Sequence, residues 1–206
     1  MKEAIHALKY DRLHPAARGL GRMLAQAISQ LAAEAPSEML VVPVPLHRSK
    51  YAERGFNQAR SLALAALNSL GKTHPQWRLT LASTTLMRLR ATQSQAGLTP
   101  RQRRQNVRGA FVVSDLAAVT MKHVLLIDDI FTTGSTARAA AQALLQAGAA
   151  SVWVATLARA CHVYERGREN PARLYDAEEN SDEAGNALAA NLQGAFRFSS
   201  HDQSSF

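Results

Sequence analysis

The chain has one cysteine, Cys161, so no disulfide can close within it, and a cytoplasmic setting is the simplest reading. Aromatic residues make up 6% of it, with two tryptophans. That scarcity weighs against gripping single strands by stacking bases on rings. No apolar run approaches the roughly 20 residues of a bilayer span, so membrane insertion is not expected. The opening MKEAIHALKYDRL carries an acid at Glu3 and no uninterrupted apolar stretch, so it does not read as a secretory signal. His6, His14, His74, His123 and His162 show no metal-ligand spacing. Acids are missing altogether between Arg78 and Arg108, a stretch of 31 residues with seven arginines.

What is present fits one globular domain. The chain has 206 residues, 47% of them apolar and 19% charged, which is enough for a substantial core. The net charge of +8 is unevenly spread. Residues 1–164 carry 20 Lys/Arg and 8 Asp/Glu, a net of +12, while residues 165–206 carry 4 Arg and 8 acids, a net of −4. A basic body favours polyanions, either nucleic acid or phosphorylated small molecules; a solvated basic surface is the plain alternative. The expected organisation is a domain over 1–164 followed by an acidic, polar tail over 165–206, disordered or loosely docked. One short helix fits the tail, from Glu183 to Leu192.

Apolar periodicity predicts a helix from His14 to Ala33, with Pro15 suited to a first turn. Met39 to Pro45 (MLVVPVP) reads as a short buried strand, and Phe56 to Leu70 as a helix. Leu79 to Arg90 is Thr-rich and suits extended structure. Gly109 to Val113 and His123 to Ile127 read as strands. Ser135 to Gln146 is an alanine-rich helix stopped by Gly148, and Ser151 to Leu157 closes the pattern as a strand. Strands that are apolar throughout and alternate with helices predict an α/β fold, with a mostly parallel sheet covered on both faces. In such sheets ligands sit at the carboxyl ends of strands, beside helix amino termini.

At that edge lies VLLIDDIFTTGST, Val124 to Thr136. Asp128 and Asp129 stand side by side, although two carboxylates about 5 Å apart repel by about 3 kcal/mol at an effective dielectric near 20. Thr132, Thr133, Gly134, Ser135 and Thr136 follow and lead into a helix. Gly134 permits backbone conformations closed to other residues, and the helix start favours an anion. Such a nest suits a phosphate monoester, while the acids suit a diol or Mg²⁺ held through water. Diol and phosphate one turn of chain apart describe a ribose 5-phosphate. An ATPase would need G-x-x-x-x-G-K-[ST]. Ala66 to Thr73 (ALNSLGKT) lacks the first glycine and ends a helix instead of starting one.

With these residues in view, VLLIDDIFTTGST resembles the phosphoribosyl-pyrophosphate motif of type I phosphoribosyltransferases. More narrowly, residues 1–160 are similar to the ComF/GntX family of competence-associated proteins. The resemblance rests on LKY (Leu8 to Tyr10), VVPVPLH (Val41 to His47), RGFNQA (Arg54 to Ala59), Arg88 to Gln93, NVRGAF, the acid pair with TTGST, and VATLARA. Family members often carry a cysteine-rich zinc module ahead of the LKY segment, where this sequence opens.

The resemblance implies a type I phosphoribosyltransferase-like fold with a small N-terminal helical hood and a flexible basic loop. It implies that Asp128 and Asp129 contact the ribose hydroxyls and serve Mg²⁺, and that Thr132 to Thr136 hold the 5-phosphate. Pyrophosphate would be held after the earlier strand, by Leu46, His47 and Arg48; the strand end followed by His47, Arg48 and Lys50 independently suits a polyphosphate cradle. Arg54 could reach a phosphate, while Gly55 and Asn57 could simply shape a helix start. Gln93, Ser94, Gln95, Gly97 and Pro100 mark a loop that would fold over pyrophosphate, with Arg88 and Arg90 stabilising it as it leaves. The implied activity is glycosyl transfer from 5-phosphoribosyl 1-pyrophosphate to an unspecified nucleophile, in the setting of competence and DNA uptake. The alternative is a non-catalytic module acting on DNA through its basic surface. The partners to expect are a phosphorylated sugar, single-stranded DNA or DNA-uptake proteins, and a second copy of the chain in a homodimer.

Overall fold

The computed structural model describes residues 14–90, 99–131, 133–159 and 195–198. Within them run α1 (His14–Ser29), β1 (Glu38–Pro43), α2 (Arg48–Arg54), α3 (Gln58–Thr73), β2 (Arg78–Leu81) and β3 (Leu86–Arg88). There follow α4 (Pro100–Val107), β4 (Phe111–Val113), α5 (Leu116–Val119), β5 (His123–Phe131), α6 (Ser135–Gln146), β6 (Ser151–Arg159) and β7 (Ala195–Phe198). Five strands form one sheet in the order β2-β1-β5-β6-β7, and β3 with β4 forms a separate ribbon. The pairings among β2, β1, β5 and β6 are parallel, β7 joins β6 antiparallel, and the β3–β4 ribbon is antiparallel as well.

Strand residues alternate between two apolar layers, which is why these strands are apolar throughout. Met39 and Val41 of β1, Leu125 and Ile127 of β5, and Trp153 and Leu157 of β6 pack under α1 and α3, against Leu24, Ile28, Leu62 and Leu70. Val42, Val124, Leu126, Val152 and Val154 face the other way, onto Ala137, Ala140, Ala141 and Leu144 of α6 and onto Leu86 and Phe111 of the ribbon. Each fully buried leucine or isoleucine here contributes about 2 kcal/mol through desolvation. A side chain at Gly21 of α1 would run into Ala65 of α3, so the closeness of these two helices depends on that glycine. The described N-terminal segment thus covers a sheet face; residues 1–13 lie outside the described residues.

The topology sets the position of the site. From β1 the chain crosses by α3 to β2 on one side, and from β5 it crosses by α6 to β6 on the other, while β1 and β5 are neighbours. The segments leaving β1 and β5 therefore diverge at the carboxyl edge, the arrangement that opens a crevice there.

Four differences from the sequence reading have local causes. The strand carrying the acids runs on to Phe131, because Asp128, Ile130 and Phe131 keep pairing with β6. Arg48–Arg54, which the sequence reading assigns to no element, is a helix: the His47 Nδ1 accepts from Ser49 N–H, and Gly55 closes the end in the left-handed conformation. Leu79 to Arg90 divides into two strands belonging to different sheets. Pro100 begins a helix, α4, behind a reciprocal cap in which the Thr99 N–H donates to the Gln102 side chain and Gln102 N–H to the Thr99 hydroxyl. Loop residues Gln93, Ser94, Gln95 and Gly97 lie outside the described residues, as do Cys161 and the helix expected at Glu183 to Leu192. Ala195–Phe198, from the stretch expected as a tail, lies in register with Ala155 to Val152 of β6.

Candidate functional site

Asp128 and Asp129 sit near the end of β5, both partly buried. Each carboxylate turns back on the chain. Asp128 Oδ1 accepts from the Asp129 N–H at 2.9 Å, and Asp129 Oδ1 accepts from the Ile130 N–H at 2.8 Å. These charge-assisted bonds offset part of the repulsion between the acids. A cation offsets more of it. Arg88 stands on β3 opposite Phe111 of β4, with its guanidinium 5.4 Å from the centre of the Phe111 ring. Burial holds the Arg88 guanidinium below its ordinary pKa, and the charge of Asp128 works in the opposite direction. The ribbon thus holds a partly buried arginine within electrostatic range of the first of the two acids.

After β5 the backbone turns at Gly134, whose φ of 71° is left-handed. A β-carbon there would collide with the Phe131 ring, so glycine is required both for conformation and for space. Gly134 also stands at the amino end of α6, which begins without a side-chain cap. The Gly134 carbonyl accepts the first helical bond, from the Arg138 N–H at 2.8 Å. The Thr133 and Ser135 hydroxyls lie 2.8 Å apart, and Ser135 is 3% exposed. The positive end of a 12-residue helix therefore opens beside two hydroxyls, a setting that stabilises an anion. Thr132 lies outside the described residues.

The segment after β1 is held differently. Val44 N–H donates to the Ile127 carbonyl, 2.8 Å away, immediately before the acid pair. The Val44 carbonyl accepts from Asn57 Nδ2 at 3.0 Å. Asn57 Oδ1 in turn accepts from the Arg60 N–H and caps α3. Leu46, His47 and Arg48 follow Val44 and Pro45, with His47 capping α2 and Arg48 exposed. Arg54 ends α2, partly buried.

The phosphoribosyl transferase domain family matches residues 60–188. The chain belongs to that family. Among curated relatives, the DNA utilization protein YhgH of Salmonella typhi is 36% identical over 157 residues, which are 75% of this chain and 65% of that protein. Competence protein F of Haemophilus influenzae is 32% identical, covering 58% of this chain and 50% of the relative. Competence protein ComFC of Bacillus subtilis is 36% identical, covering 58% and 44%. The chain thus spans from under half to about two thirds of the length of these relatives. It is a ComF-family phosphoribosyltransferase-like protein. A glutamine phosphoribosylpyrophosphate amidotransferase of Bacillus subtilis, solved with ADP and GMP, aligns at 24% identity and a TM-score of 0.46, covering 84% of this chain and 34% of that one.

Within this phosphoribosyltransferase-like fold, the described residues bring some of the sequence candidates together. Asp128, Asp129, Thr133, Gly134 and Ser135 form one continuous edge with Thr136 on the first turn of α6. The Val44 bond to Ile127 places the segment carrying Leu46, His47 and Arg48 beside it. Arg88 joins the edge through Asp128. Arg90 is engaged elsewhere, donating to the carbonyls of Asn106 at 3.3 Å and Arg108 at 2.8 Å. Sequence reasoning missed the bond of Asn57 to Val44, the Phe131 ring against Gly134, and Gln58. Gln58 is 2% exposed, and its Nε2 has no hydrogen-bond partner among the described residues. The adjacent pair Asn57-Gln58, two polar residues opening an otherwise apolar helix face, was the available signal.

Among the described residues no group of three His, Cys, Asp or Glu side chains could hold a metal ion, and no helix is long and apolar enough to cross a membrane.

Proposed function

We propose that this chain binds 5-phosphoribosyl 1-pyrophosphate with Mg²⁺ at the carboxyl edge of β1 and β5 and transfers the phosphoribosyl group to a nucleophile. The observation that carries this reading is the acid pair followed, within one turn, by the uncapped start of α6 behind Gly134. Asp128 and Asp129 take the ribose hydroxyls. Thr132, Thr133, Gly134, Ser135 and Thr136 take the 5-phosphate through backbone N–H groups and hydroxyls. Leu46, His47 and Arg48 take the pyrophosphate from the β1 side, and Arg54 stands behind them at the end of α2.

The donor set suits Mg²⁺, which binds through one or two carboxylates completed by water and ligand phosphates. Asp128 and Asp129 would hold it, and when bound it would neutralise charge on the departing pyrophosphate. The rest falls to the chain. The C1–O bond to pyrophosphate breaks, with the electron pair leaving on oxygen, while the incoming nucleophile forms its bond to C1. Arg88, partly buried on the ribbon and under the electrostatic influence of Asp128, adds positive charge on that side. A preorganised group of that kind is worth about 3 kcal/mol to a transition state. Arg90 supports the same stretch from the carbonyls of Asn106 and Arg108.

The test is thermal stabilisation by the ligand with and without Mg²⁺, followed by pyrophosphate release with a panel of bases. A ligand at about 100 times its dissociation constant adds about 2.7 kcal/mol of stability. Absence of any shift would overturn the reading. Stabilisation without release would favour a second reading, a non-catalytic module that serves DNA uptake or utilisation. The names of the relatives and the seven arginines between Arg78 and Arg108 favour that alternative. DNA affinity that falls steeply with salt would support it.

A further inference from the structure

The segment after β1 is unusually poor in backbone donors. Pro43 and Pro45 have none, so Val44 supplies the one N–H of the three residues, and it is taken by the Ile127 carbonyl at 2.8 Å. The Val44 carbonyl belongs to the peptide bond from which Pro45, Leu46 and His47 continue, and Asn57 Nδ2 holds it at 3.0 Å. Asn57 is itself fixed. Its Oδ1 caps α3 through the Arg60 N–H at 3.3 Å, and its own carbonyl accepts from the Ser61 N–H and hydroxyl. A single side chain therefore ties three parts together: the start of α3, the peptide before His47, and, through Val44, the residue preceding Asp128.

We propose that Asn57 is a positioning residue that sets the pyrophosphate segment relative to the acid pair, through the Val44 peptide. The inference rests on the phosphoribosyl-pyrophosphate reading above and adds a specific residue to it. It acts on the pyrophosphate end of the ligand alone, because the 5-phosphate nest after β5 has no bond to Asn57 among the described residues. The two roles of Asn57 are chemically separable. Serine caps a helix as well as asparagine does, but its shorter side chain does not span to Val44. Aspartate also caps, yet it presents a carboxylate oxygen to the Val44 carbonyl where a donor is needed.

The experiment compares 5-phosphoribosyl 1-pyrophosphate with ribose 5-phosphate on the purified full chain, by calorimetric titration with Mg²⁺ present. In Asn57→Ser, affinity for the pyrophosphorylated sugar should fall about fivefold, the worth of one neutral hydrogen bond, with ribose 5-phosphate unchanged. In Asn57→Asp the same selective loss should be larger, and this variant carries the test should the serine variant not fold. Equal losses for both ligands would reduce Asn57 to a fold determinant and overturn the inference, as would no loss for either. Should the wild-type chain bind both sugars equally, the inference fails while the sugar-phosphate reading survives. Should it bind neither, both fall together.

Discussion

The segments after β1 and after β5 leave neighbouring strands at one edge of the sheet, yet only one of the helices that continue from them lacks a side-chain cap. After β1, two prolines restrict the chain, His47 caps α2, and Asn57 both caps α3 and fixes the Val44 carbonyl. After β5, Gly134 opens α6 with no side chain of its own to cap it, the Thr133 hydroxyl accepts from the Ser135 N–H at 3.5 Å, and a ring from Phe131 closes behind the turn. The contrast is between a segment whose own side chains fill its polar needs and one that leaves the positive end of a helix to something else. The start of α6 still offers backbone N–H groups, and the positive end of its dipole favours negative charge nearby. That setting suits the ligand proposed above, which carries an anion and a diol a short distance apart.

The sharpest way to break this comparison is to disable the β5 side. Asp128→Asn with Asp129→Asn should abolish stabilisation by 5-phosphoribosyl 1-pyrophosphate, a loss of about 2.7 kcal/mol at about 100 times the dissociation constant. An unchanged shift in the folded double variant, read by differential scanning fluorimetry, would remove the acids from the site. Arg88→Met should slow pyrophosphate release about 100-fold while leaving Phe111 packed; a normal single-turnover rate would deny Arg88 any part in the chemistry. Gly134→Ala places a β-carbon at a φ of 71° against Phe131. It should lower unfolding free energy by about 2 kcal/mol, and urea denaturation giving wild-type stability would refute the close approach.

Two smaller effects sharpen the comparison. Arg90→Ala removes donors to two carbonyls at the carboxyl end of α4, and should cost about 1 kcal/mol of stability with ligand affinity intact. A slowing of pyrophosphate release matching that of the Arg88 variant would place Arg90 in the catalytic set. Gln58→Met replaces a buried amide whose Nε2 lacks a described partner and should leave the melting temperature unchanged or raise it. A fall of more than about 1 kcal/mol would mean that the amide is satisfied in solution.

Much of the fold was legible because burial imposes periodicity. β1, β5, β6, α1, α3 and α6 each show a continuous apolar run or a helical stripe; the expected bounds agree closely for β1, β6 and α6, while β5 runs past Ile127 to Phe131 and α1 stops at Ser29, short of Ala33. The helices α2 and α4 escaped because they are short and polar, so no stripe marks them. Their caps were nonetheless written in the chain: His47 with Gly55 for one, Thr99-Pro100-Arg101-Gln102 for the other. The last strand, β7, escaped because four residues carry too little pattern, and its pairing with β6 is a contact across more than 40 positions of sequence.

By itself the sequence determined the acid pair, the glycine turn and the alanine-rich helix behind it, since these are contiguous and their chemistry is local. It also determined that the strands would be covered on both faces. Only the tertiary structure decided that Arg88 lies on the Phe111 ring within the electrostatic influence of Asp128, while Arg90 turns to the carbonyls of Asn106 and Arg108. Two arginines of like chemistry, two positions apart, cannot be told apart from composition. The ribbon sets the Arg88 guanidinium over Phe111 and leaves Arg90 past the end of β3, where it donates to backbone oxygens.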